Sequence, residues 1–287
     1  MKARHLITAA AAALFMAGTA SAQDLVIRID DIGSSHSANL ACIDTYRNGI
    51  AQSVEIMSVC PWFMEAVGML KENPGLDVGV HLVLSSEWEG IKWGPLTDCP
   101  SLVDPDGYFW PKVNPAKSMP GKSLVENGYD LAEIEAEFRA QIEMAMKYIP
   151  NVTHLSGHMG SEAFSQEVSD LIMKLSAEYG LPSMDHRGSE QQYGYRFVSY
   201  DGPRRTLKEK VESLSKTIMA MEPGKRYMFL DHPAYDDSEM QGVFHLGYEN
   251  VGSDRQGVTD MLKSRKLRKL IEKKGIRLIS FAELANN

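Results

Sequence analysis

The sequence predicts a single α/β domain: a distorted or incomplete (β/α) barrel of the TIM type, with long loops at the C-terminal face of its strands. Three observations carry that prediction. Short β-branched runs alternate with helical patterns along the chain, the mark of a parallel sheet. The length from residue 23 to 287 suits one large domain, with no internal repeat or low-complexity linker to divide it. Acidic and imidazole side chains recur where the predicted strands end, the face on which such barrels build sites.

The first strand is Leu25–Ile29, apolar and rich in β-branched residues, followed by Asp30-Asp31 and a turn at Gly33. Two adjacent carboxylates repel unless a metal or a shared proton relieves them; the alternative is an aspartate N-cap beside a solvated neighbour. A helix over Ser37–Gly49 is expected to bury Leu40, Ile43 and Tyr46. Val54–Val59 reads as a strand and Phe63–Lys71 as a helix, closed by Asn-Pro-Gly at 73–75. Asp77–Leu84 is a strand carrying the lone His81.

The alternation then breaks. Residues Ser85–Lys122 are rich in Pro and Gly and hold three of the four tryptophans, Trp88, Trp93 and Trp110, with Tyr108 and Phe109. Long irregular insertions of this kind are usually functional loops. The aromatics suit either a lid with stacking surfaces for sugar rings or pins that fasten the loop to the barrel. Beyond it, Leu131–Ile149 has helical spacing of Leu131, Ile134, Phe138, Ile142 and Ala145, and Val152–Ser156 leads as a strand into Gly157-His158. A helix over Gln166–Tyr179, strands at Leu181–Met184 and Phe197–Tyr200, and a helix over Thr206–Met221 follow. Arg226–Leu230 is a strand delivering Asp231-His232-Pro233. Ala234–Gly257 reads as irregular, Asp260–Lys273 as the last helix and Ile276–Ile279 as the last strand.

Composition bounds the partners. A formal charge of −8 argues against nucleic acid or anionic lipid, and 44% hydrophobic residues are ordinary for a globular core. Cys42, Cys60 and Cys99 lack paired spacing and read as buried apolar residues. Residues 1–22 combine Lys2 and Arg4, an apolar run from Ile7 to Ala17 and Ala20-Ser21-Ala22, the pattern of a signal peptide cleaved after Ala22. That pattern predicts export to a periplasm or beyond, and no apolar run is long enough to span a bilayer.

Asp30, Asp31, His81, His158 and His232 thus fall at or just past strand ends, and His154 lies within one. A lone histidine on an apolar strand is more often a satisfied core residue than a ligand, but several independent placements on one face favour a site. One carboxylate and two imidazoles with open positions suit a divalent metal ion such as Zn or Mg. The second aspartate would then remain as a base. His-x-x-x-His at 154–158 could supply two ligands if both side chains share a side.

Asp-Asp-Ile-Gly at 30–33, Gly-Val-His-Leu at 79–82, Thr-His-Leu-Ser-Gly-His at 153–158 and Asp-His-Pro at 231–233 resemble the YdjC-like carbohydrate deacetylases, the family of chitooligosaccharide deacetylase. The ending Lys-Gly-Ile-Arg-Leu-Ile-Ser-Phe at 274–281 resembles that family too. The resemblance implies that Asp31, His81 and His158 hold the metal, that Asp30 is the catalytic base, and that His232 protonates the leaving amine. The implied reaction removes an acetyl group from an N-acetylated amino sugar or oligosaccharide. The chain departs from the family at Arg28-Ile29 before the aspartates, at Ser156 in place of an aspartate, at Gly160 in place of a histidine, and at Ala234 after His-Pro. Two other functions are compatible with the same residues. One is a non-haem iron oxygenase, whose facial triad also uses two histidines and a carboxylate; the other is a carbohydrate-binding protein on a degenerate barrel.

Overall fold

The computed structural model describes residues 23–286. In chain order the elements are β1 (Asp24–Ile32), α1 (His36–Arg47), β2 (Ser53–Ile56), α2 (Phe63–Lys71), β3 (Asp77–Leu82), α3 (Leu124–Asn127), α4 (Leu131–Tyr148), β4 (Val152–Gly157) and α5 (Gln166–Tyr179). They continue with α6 (Ser189–Tyr193), β5 (Tyr195–Val198), α7 (Leu207–Ala220), β6 (Arg226–Asp231), α8 (Val251–Leu262), α9 (Arg265–Lys274), β7 (Arg277–Leu278) and α10 (Phe281–Ala285). Six strands run in the order β4-β3-β2-β1-β6-β5, every pair parallel, and the short β7 joins the start of β1. This is an incomplete (β/α) barrel. Because every strand points the same way, their C-terminal ends share one face.

β1 is central and buried along its whole length. Its alternate residues serve two cores, as a period of two requires. Leu25, Ile27 and Ile29 pack under the helices in the main cluster, whereas Val26 joins Met184, Tyr195, Met228, Phe281 and Leu284 inside the half-barrel. Arg28 and Asp30 stand above Val26 on that inner face, which changes from apolar to charged towards the strand ends. β3 crosses this charged layer at Gly79, where a Cβ would collide with Glu55 Oε2 and His154 Nε2. Only glycine lets the backbone pass there.

Helices α2 and α5 have the expected bounds, and α4 buries Ile134, Phe138, Ile142 and Ala145. α1 buries Ile43 as expected and packs Tyr46 half-buried against the core, but not Leu40. Leu40 is exposed, and the rest of the contact face is built from Ala38, Ala41, Cys42 and Thr45, small residues that let the helix lie close to the sheet. Leu181–Met184 forms no strand: only Ser183 bridges to Leu155, and Pro182 cannot donate to a ladder. The stretch expected to be irregular after Ala234 becomes helical at Val251, and the last predicted helix divides into α8 and α9. Gly252 and Gly257 hide α8 from propensity; a Cβ at Gly252 would crowd the Asp236 carboxylate, and one at Gly257 would meet the Lys210 side chain at 3.1 Å.

The aromatic insertion contains no regular strand, and most of its rings pin it down. Phe109 and Trp93 are buried, and Trp93 Nε1 donates to the Ser85 carbonyl at 2.7 Å. Trp88 is buried as well, and it also lines the cleft at the strand ends. All three cysteines are free and buried. The signal peptide expected over residues 1–22 lies outside the described residues. Among the described residues no helix is long and apolar enough to cross a membrane. The signal-peptide and periplasmic expectations are therefore withdrawn, because they rested on N-terminal composition alone and no apolar helix among the described residues supports them.

Candidate active site

The site begins where β1 stops being a regular strand. The register against β2 shifts between Ile29 and Ile32, and Asp31 takes a left-handed conformation with φ 73°. Neighbouring side chains on a regular strand point to opposite faces; the bulge turns both carboxylates towards one imidazole. His81 Nε2 lies 3.8 Å from Asp30 Oδ2 and 3.8 Å from Asp31 Oδ1. Such a conformation costs a non-glycine residue roughly 1–3 kcal/mol and persists where its surroundings impose it. Here Ser34 Oγ donates to the Asp31 carbonyl, and Asn39 of α1 accepts from the Gly33 amide at 2.6 Å. The N-cap alternative for the aspartates fails, since Ser35 caps α1.

Asp31, His81 and His158 offer ligand atoms that all lie within 4.8 Å of one another, and all three residues are buried. Asp31 Oδ1 is 3.4 Å from His158 Nδ1, is itself buried, and has no hydrogen-bond partner among the described residues. An orphaned carboxylate oxygen between two imidazoles is the donor set a zinc-type cation takes; the residues fit such an ion. The other Asp31 oxygen accepts from Arg255 Nη2 at 2.9 Å. Against its burial, His232 and Arg255 hold the Asp31 carboxyl well below the usual range.

Each imidazole is oriented from outside. His158 Nε2 meets Glu87 at 3.0 Å, and His81 Nδ1 meets Ser156 Oγ at 2.8 Å. Although burial opposes the charge, Glu87 and Asp31 hold His158 up to about 10. Asp30 is bonded differently from its neighbour: Arg28 Nε and Nη2 reach its two oxygens at 2.6 and 2.9 Å. Burial nevertheless pushes Asp30 up to about 6. His232, its side chain about a third exposed, stands with Nε2 4.0 Å from Asp31 and Nδ1 3.7 Å from Asp231. Burial opposes its protonation, but Asp31 and Asp231 together raise it above the usual imidazole value.

The structure therefore brings Asp30, Asp31, His81, His158 and His232 together. It does not bring His154 with them. That side chain faces the barrel interior, where its Nε2 meets Glu55 at 2.8 Å and its ring lies against Phe281, so the His-x-x-x-His spacing supplies no second ligand. Residues 154 and 158 belong to a strand and the turn after it, not to one helical face. Glu87, Arg255 and Glu162 carry no signal in the sequence. They come from loop or helix positions whose proximity only tertiary structure creates, although Glu87 stands close after the strand that bears His81. The cleft above these groups has a volume of about 580 Å³, within the range of ligand sites. Trp88, Lys112, Glu162, Phe197 and Tyr248 line it, and Trp88 is stacked against His245 with Arg255 5.3 Å from its ring centre.

Fold and site define a class: parallel half-barrel proteins with a carboxylate–imidazole cleft at the strand ends. Within it, the chain belongs to the YdjC-like protein family, whose profile matches residues 24–273. It is 26% identical over 274 residues to a carbohydrate deacetylase of Listeria monocytogenes serotype 4a, covering 91% of this chain and 99% of that protein. A carbohydrate deacetylase of Enterococcus faecalis is 25% identical over 276 residues, covering 92% and 99%. The crystal structure of an Enterococcus faecalis V583 protein, whose proposed role is cellobiose-phosphate cleavage, superposes with a TM-score of 0.74 at 23% identity. That match covers 92% of this chain and all of the other, and it shows a shared fold.

Proposed function

We propose that this protein is a metal-dependent carbohydrate deacetylase that hydrolyses the N-acetyl group of an amino sugar or oligosaccharide. One observation carries the proposal: the buried, orphaned Asp31 oxygen lies between His81 and His158, with a second carboxylate, Asp30, at the same imidazole. The names of the relatives point to the same chemistry. Asp31, His81 and His158 would hold a divalent cation, Zn or Mg. Such an ion, when bound, supplies Lewis acidity that activates water and polarises a carbonyl.

The chain's own groups do the proton work. Asp30, held by Arg28 with its acidity weakened by burial, takes the proton of the attacking water. His232, whose Nδ1 stands 3.7 Å from the Asp231 carboxylate, hands a proton to the departing nitrogen. The amide C–N bond breaks, one oxygen of the acetate comes from water, and a free amine remains on the sugar. Trp88 and Phe197 give the cleft apolar surface for a sugar ring. The test is acetate release from N-acetylated chito-oligosaccharides by protein treated with chelator and then reloaded with Zn²⁺ or Mg²⁺. Activity that returns with metal supports the proposal; oligosaccharide binding without acetate under every loading overturns it.

A further inference from the structure

The ligand histidine His81 is the end of a hydrogen-bonded chain that crosses the half-barrel. Its Nδ1 lies 2.8 Å from Ser156 Oγ, and Ser156 in turn donates to Glu55 on β2 through a short hydrogen bond. Glu55 is fully buried, and its other oxygen meets His154 Nε2 at 2.8 Å with Arg28 Nε 3.7 Å away. Burial opposes its charge, but His154 and Arg28 together hold it well below the usual carboxylate range. An ionised carboxylate only accepts hydrogen bonds. The Ser156 proton is thus committed to Glu55, and Ser156 Oγ can offer His81 only a lone pair. His81 must then carry its proton on Nδ1, which leaves the Nε2 lone pair directed at Asp30 and Asp31.

We propose that Ser156 and Glu55 are positioning residues that lock His81 in its Nδ1–H tautomer, so that Nε2 is free to bind a divalent cation. The proposal rests on the metal-centre reading above and goes beyond it by naming what prepares the ligand before the ion arrives. It also gives a definite role to Ser156, a departure from the family pattern, which relays a carboxylate from the neighbouring strand to the histidine. Partners of this kind typically change metal affinity by about 10–100-fold.

Two measurements on the purified full-length chain test it. Long-range ¹H–¹⁵N spectra of the metal-free protein, assigned with a His81→Gln variant, should show His81 protonated at Nδ1, and Ser156→Ala should lose that signature. Calorimetric titration with zinc chloride should show Ser156→Ala binding about 10–100-fold more weakly. Ser156→Thr, which keeps the hydroxyl, should retain both properties. His81 protonated at Nε2 in the wild type, or zinc binding by Ser156→Ala as tight as wild type, overturns the positioning role. A wild type that shows the Nδ1–H tautomer yet takes up no zinc overturns the metal-centre reading and the ligand role of Nε2 with it.

Discussion

Asp30 and Asp31 are adjacent in sequence and differ in almost every contact. Both Asp30 oxygens are taken by Arg28, which is itself anchored by Asp185 at 2.7 Å, whereas Asp31 shares one oxygen with Arg255 and leaves the other unbonded. Carboxylates in unlike environments divide acid–base work between them. Asp30→Asn should therefore retain zinc affinity within a few-fold while losing about 10²–10⁴-fold in kcat, the usual contribution of one general base. Calorimetry and initial-rate acetate release check the two halves separately, and full activity in the variant would remove Asp30 from the mechanism. Both aspartates are legible in the sequence because they close a β-branched run, and the histidines because they stand at strand ends. Arg28 shows only as a departure from the family pattern, and Glu87 and Arg255 not at all, since no local rule marks a charge whose partner is 71 or 224 residues away.

At the scale of elements, legibility follows local signals. α2 and α5 have apolar spacing and stop residues, and their observed bounds match the prediction. α8 escapes sequence reasoning because Gly252 and Gly257 lower its helix propensity. The end of α8 is also tied to α1 by Asp44, whose carboxylate accepts from Lys263 Nζ at 2.6 Å, from Asn48 at 2.7 Å and from the Tyr235 hydroxyl. Partial burial raises the Asp44 value, but the bonds from Lys263, Tyr235 and Asn48 outweigh it and hold the group below its ordinary pKa. A depressed folded-state pKa contributes stability that is present above the unfolded value, about 3.9 for Asp, and is lost as pH falls through the folded one. Asp44→Asn should therefore cost about 1–2 kcal/mol at pH 7, and the difference from wild type should shrink steadily below about pH 4. Urea unfolding of both proteins across that range measures it; a difference that does not change with pH would mean the bonds act without charge.

At the scale of the whole molecule, the parallel sheet gathers groups from β1, β3, β4 and β6 onto one face, and that convergence is readable from the acids and histidines that close the predicted strands. The charged layer beneath is not, because Arg28, Glu55 and His154 lie in runs that read simply as buried strand. Those groups pair with one another in the interior, while the layer above holds Asp31 with one oxygen unsatisfied. The native state thus carries an unmade interaction that a cation would complete. The unfolded chain, with these ligands dispersed between positions 31 and 158, offers no equivalent. Selective binding to the folded form stabilises it by mass action, about 4 kcal/mol at a thousandfold excess over Kd. For a domain of this size that corresponds to a rise in Tm of roughly 8–16 °C. Calorimetric scans in chelator and in zinc should show this difference for the wild type and almost none for Asp31→Asn. The variant should also start from a lower Tm, because Arg255 loses the carboxylate it is buried against. An equal zinc-induced rise in Asp31→Asn would place the stabilising ion somewhere other than this cleft.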